Sequence, residues 1–137
     1  MDKIEEFFVV YKNAAWNKDV NQMVGLYHEN VVIFDMWEHG FQKGLEAWSL
    51  EISNWLGSLG DEKVKVDFEM ISVQEKSTVG FASAVVSFQA VGLDQTILRG
   101  MKNRISLGFI RDEIGWKVVH QHTSAPIDSN LQVLLDF

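Results

Sequence analysis

The sequence of 137 residues contains no cysteine, so disulfides and thiolate chemistry play no part in its function, and a reducing compartment suits it. It has no apolar run near the roughly 20 residues that cross a bilayer. Its opening, Met1-Asp2-Lys3-Ile4-Glu5-Glu6, lacks the basic start and long apolar stretch of a signal peptide. Clustered cations are missing as well: twelve Lys and Arg stand against nineteen Asp and Glu, for a formal charge of −7. Counterion release from nucleic acid needs grouped basic residues, and Arg104, Arg111 and Lys117 are scattered. No Pro-, Gly- or Ser-rich linker, internal repeat or low-complexity stretch divides the chain. These absences predict one domain over residues 1–137, soluble and cytoplasmic, that binds neither nucleic acid nor membrane.

What is present is apolar and aromatic. Hydrophobic residues make up 47% of the chain and aromatics 12%, enough for a real core. Ile4, Phe7, Phe8, Tyr11, Ala14 and Ala15 recur at helical spacing and predict a helix over about 2–16. Asn17-Lys18-Asp19 breaks it and offers N-caps for a short helix carrying Val20, Met23, Val24 and Tyr27. His28-Glu29-Asn30 reads as a turn, 31–36 as a strand, and 38–43 as a loop. Leu45, Trp48, Ile52, Trp55, Leu56 and Leu59 mark a third helix that Gly57 and Gly60 end.

The second half reads as strands. Alternation over Val64–Met70, then 78–91, 96–111 and Trp116–Ser124, with short turns between, predicts sequential antiparallel pairing. Three helices against a strongly twisted sheet make a cone-shaped α+β barrel with an internal cavity. The strand over 78–91 is apolar on both faces, which predicts a covered outer face: a second copy of the chain, or the chain's own apolar end from Leu131 to Phe137.

The segment from Gly115 to Pro126 carries the densest chemistry. Strict alternation would put Trp116, Val118, His120, His122 and Ser124 on one face, a mostly apolar wall with titratable groups. His120 and His122 are candidate pocket groups. Their spacing could also chelate a metal with Asp35, but no closely spaced third ligand supports one, and no metal or cofactor is expected. Asp35 closes an apolar strand, Tyr11 sits on the apolar stripe of the first helix, and Trp37 is placed at a pocket mouth. His28 and His39 read as surface residues. No nucleophile–base spacing and no phosphate loop is found.

The order ααβαββββ, with Ala15-Trp16-Asn17-Lys18-Asp19, Leu26-Tyr27-His28 and Val32-Ile33-Phe34-Asp35, resembles the nuclear-transport-factor-2-like superfamily. Phe34-Asp35, Gln42 and Gly44 before a Trp-bearing helix, 104–111 and the Gly115–Ile127 stretch resemble its SnoaL-like, ketosteroid-isomerase-like branch. The last segment is also similar to the end of the association domain of calcium/calmodulin-dependent protein kinase, a non-catalytic relative. The resemblance implies a cystatin-like fold, to which the doubly apolar strand over 78–91 adds a homodimer and the histidine strand a small-molecule pocket. It implies Asp35 as general base and Tyr11 as oxyanion donor, with Tyr11 eight residues before Asp19 and Asp35 sixteen after it. It aims Arg104 into the cavity to grip a carboxylate, with Phe34, Trp37 and Ser106 beside it. The isomerases' third polar group, a protonated Asp, has no counterpart acid near Arg104 and Ser106.

Two functions follow from this reading. One is an enzyme of isomerase, cyclase or dehydratase type that abstracts a proton beside a carbonyl, with Asp35, Tyr11, His120 and His122 as its catalytic set. The other is a non-catalytic binding or association module that holds a carboxylate-bearing ligand in the same pocket.

Overall fold

The structure, a computed structural model, describes residues 1–137. Helix α1 spans Glu6–Asn17 and buries Phe7, Phe8, Tyr11, Ala14 and Ala15, the stripe its spacing requires. Lys18 ends it in the left-handed conformation, with its N–H turned back onto the Ala15 carbonyl. The Asp19 side chain then accepts from the Gln22 N–H at 3.0 Å and caps α2, Val20–Val24. Helix α3 spans Leu45–Gly57.

Six strands form one curved sheet: β1 Tyr27–Phe34, β2 Phe41–Lys43, β3 Lys63–Glu75, β4 Val79–Val91, β5 Ile97–Arg111 and β6 Trp116–Ser124. Their spatial order is β2-β1-β6-β5-β4-β3, and every neighbouring pair is antiparallel except β1 with β6. The pairing of β3 through β6 follows the chain, as the short turns required.

Two local expectations are corrected. The helical assignment of Tyr27 and the turn at 28–30 give way to the start of β1, and β2 falls inside the expected loop. Both depend on distant pairing: β1 runs beside β6, and Phe41–Lys43 are held by hydrogen bonding to the end of β1. Window-scale periodicity does not register such partners.

The helices lie against one face of the sheet. Val31 and Ile33 of β1, Val64 and Val66 of β3, Ala82, Ala84 and Val86 of β4, Ile105, Leu107 and Phe109 of β5, and Trp116 and Val118 of β6 supply the buried core with α1. The opposite face stays open. Val79 and Phe81 are 55% and 50% exposed, so the C-terminal segment does not cover them. That segment folds on itself through Leu134 N–H to the Pro126 carbonyl, and meets β5 where Lys102 N–H donates to the Leu135 carbonyl.

Candidate functional site

Between the helices and the inner face of the sheet lies a cavity of about 760 Å³. Its apolar lining comes from Met23 of α2, Trp48, Ile52 and Trp55 of α3, Val64 of β3, and Phe88 and Ala90 of β4. Its polar lining comes from Tyr11, Tyr27, Asp35, Asn103, Gln121 and Thr123, with Trp37, Glu38, His39, Glu51 and Arg99 also reaching it. A hollow with an apolar, partly aromatic floor and polar groups grouped along one side suits a small organic molecule that carries polar substituents.

Asp35 follows β1 directly. Its N–H donates to the Gly40 carbonyl at 2.8 Å, closing the loop to β2, and its Oδ1 accepts from the Trp37 N–H at 3.2 Å. Thr123 Oγ1 accepts from the next backbone N–H, that of Met36, and so ties the loop to β6. One bond, from the Trp37 N–H, thus reaches the carboxylate itself, and the other two fix the main chain around it.

Tyr11 projects from α1 into the same hollow. Burial, and then the Asp35 carboxylate nearby, push its ionisation far above the ordinary tyrosine value, so it remains a neutral O–H donor. Its hydroxyl has no protein partner. Burial raises Tyr27 in the same sense, with Tyr11 adding to it, while the Tyr27 hydroxyl donates to Gln121 Oε1 at 2.6 Å.

Asp35, Tyr11 and Trp37 therefore share the cavity, and five other candidates do not line it. Phe34, Arg104, Ser106, His120 and His122 lie on the outer face of the sheet. There Phe34 meets the His120 and His122 rings edge-on at 4.8 and 5.6 Å, and Arg104 Nε donates to Ser124 Oγ at 3.2 Å.

The physical reason is one residue. Gly108 pairs with His120, but the next step of the ladder pairs Phe109 with Val118. Val119 is thus an extra residue, a β-bulge, and it inverts the alternation of β6. Trp116 and Val118 point inward before it, and Gln121 and Thr123 point inward after it, so the single histidine wall expected from strict alternation does not form.

Arg104 and Ser106 have a different cause. They occupy the polar parity of β5, opposite Ile105, Leu107 and Phe109, and the structure keeps that parity. The residue sharing the apolar parity is Asn103, 4% exposed, with Oδ1 unpartnered. That amide was legible: a polar residue continuing an apolar alternation. Gln121 carried no such signal, because the bulge hides its direction. His39, read as a surface residue, stands at the rim with Nε2 3.6 Å from Glu51 Oε1.

Comparison with known proteins agrees with this architecture. Residues 4–128 match the SnoaL-like domain family. Among solved structures, an NTF2-like protein from Pseudomonas putida KT2440 is similar with a TM-score of 0.84 at 20% identity, over 98% of this chain and 92% of that one. Aln2 from a Streptomyces species is similar with a TM-score of 0.76 at 11% identity, over 88% and 86% of the two chains. A nuclear transport factor 2 superfamily protein from Salmonella enterica serovar Typhimurium gives 0.69 at 20% identity, over 92% and 90%. These identities bear on fold alone. No curated protein matches by sequence. With the family match running from the first helix past the last strand, on a frame of three helices and one curved sheet like those of NTF2-like and cystatin-like structures, the chain belongs to the SnoaL-like domain family.

Proposed function

We propose that the cavity binds a small, partly apolar carbonyl compound and that Asp35 removes a proton from the carbon beside the carbonyl. The observation carrying this reading is the pairing, on one cavity lining, of a carboxylate anchored by a main-chain N–H with a tyrosine held neutral and unpartnered. The carbon–hydrogen bond breaks, the proton goes to an Asp35 oxygen, and the electron pair moves onto the carbonyl oxygen. The Tyr11 O–H donates to that oxygen as negative charge develops. Return of the proton to another carbon of the enolate gives an isomerisation, and expulsion of a leaving group gives a dehydration. The aromatic lining limits water around the enolate.

His120 and His122 have no part in this step, because they face away from the cavity. They belong instead to a second part of the proposal: two copies pair through the outer face of the sheet. Val79, Phe81, Phe34 and the two imidazoles give that face an apolar and aromatic surface that the tail leaves open.

The test needs no prior substrate. Enolisable ketones are incubated with the protein in heavy water, and carbon-bound deuterium is read by NMR. The wild type should catalyse exchange, Asp35→Asn should abolish it while ketone affinity persists, and Tyr11→Phe should slow it about a hundredfold or more. Exchange that survives unchanged in Asp35→Asn overturns the reading. A retained ligand without exchange in the wild type makes the cavity a binding module.

A further inference from the structure

We propose that the ligand of this cavity carries a protonated nitrogen on its apolar body, held at the mouth by Glu38. The inference rests on the cavity being the ligand site. It adds the charge of the ligand, which proton abstraction leaves open.

The charged groups on the lining are Asp35, Glu38, Glu51, His39 and Arg99. Arg99 is already committed, with Nη2 and Nη1 holding Glu62 Oε2 and Oε1 at 2.7 and 3.2 Å. His39 stands against Glu51. Asp35 and Glu38 remain without a side-chain counter-ion, and both are negative. The cation expected to grip an acid, Arg104, sits on the other face of the sheet. A carboxylate entering here would face two like charges and no free cation, whereas an ammonium group meets the opposite field.

A second observation is independent of these acids. Asn103 lies on the same lining, is almost wholly buried, and its Oδ1 accepts no hydrogen bond. Buried acceptors are rarely left unpaired, so this one asks for a donor from whatever fills the hollow. An N–H or O–H on the ligand supplies it. A carboxylate offers acceptors only, which would suit the unpaired Trp48 Nε1 on the same lining but leave Asn103 Oδ1 without a donor.

The aromatic lining points the same way. Trp37, Trp48 and Trp55 line the cavity, and the faces of their indole rings attract a cation while covering hydrocarbon. Asp35 stays with the proton that it removes, and Glu38, exposed at the rim, takes the cationic head.

The test compares naphthylethylamine, naphthylethanol and naphthylacetate, one ring system with positive, neutral and negative heads, by isothermal titration at low salt. The amine should bind about fivefold more tightly than the alcohol, with the acetate weakest. Glu38→Gln should erase most of the amine's advantage. Glu62→Gln, which releases Arg99, should move the preference toward the acetate. An acetate bound at least as well as the alcohol overturns the inference, as does an amine advantage unchanged in Glu38→Gln, or failure of all three to bind. None of the three probes is a carbonyl substrate for Asp35. Deuterium exchange with an acetate preference therefore removes this inference alone, and an amine preference without exchange removes proton abstraction alone.

Discussion

The Tyr27 hydroxyl donates a 2.6 Å hydrogen bond to Gln121 Oε1, joining the first strand to the last across 94 positions of sequence. Both residues are buried and both line the cavity. The bond holds the Gln121 carbonyl toward β1, on the side of the sheet that the bulge at Val119 assigns to it.

Tyr27→Phe leaves Gln121 Oε1 buried without its donor, which should cost about 1–3 kcal/mol. Tyr11→Phe removes a hydroxyl with no protein partner and should leave stability nearly unchanged. Urea denaturation of the two variants, followed by tryptophan fluorescence, separates them. Equal midpoints would mean that the Tyr27 bond contributes nothing.

Deleting Val119 would restore strict alternation to β6. Either Trp116 and Val118 or Gln121 and Thr123 must then turn outward, exposing a fully buried Trp or losing the polar wall. The variant is expected to lose cooperative unfolding. A deletion protein that melts with the wild type would show that β6 tolerates either register.

The chain has two tyrosines, and both titrate above the ordinary value in the folded state. An acid whose folded value is raised contributes stability fully present below its unfolded value, about pH 10, and lost as pH rises through the folded one. Native protein should therefore develop little tyrosinate absorbance around pH 10, and its unfolding midpoint should fall as pH rises beyond that. Full tyrosinate absorbance at pH 10 with the fold intact would contradict the burial of both hydroxyls.

On the outer face, Phe81→Glu places a charge where two sheets would meet. Sedimentation velocity should show the wild type as a dimer and the variant as a monomer with an unchanged far-UV spectrum. A wild-type monomer, or a variant that still dimerises, removes the outer face as the pairing surface.

Much of the frame was readable along the chain. The α1 stripe of Phe7, Phe8, Tyr11, Ala14 and Ala15 is buried as spaced, Asp19 caps α2, and β4 and β5 keep their alternation up to a register shift between Ala90 and Val91. The resemblance carried by Phe34-Asp35 and the last strand pointed to the right family. The errors share one form. Tyr27 read as helix because its strand partner lies 91 residues on, at Val118. His120 and His122 read as pocket groups because one bulged residue, invisible to a period-two count, inverts the strand.

Sequence by itself settled which segments are helix or strand where a periodic face is long enough to dominate, since local alternation and spacing are written in neighbouring residues. Tertiary structure alone decided which face of β6 and β5 looks into the cavity, and so which polar groups meet there. A bulge and a parallel strand partner are relations between distant residues. The free energy that selects them, the burial of Trp116 with Val118 and the pairing of Tyr27 with Gln121, exists only once the sheet has closed around the helices.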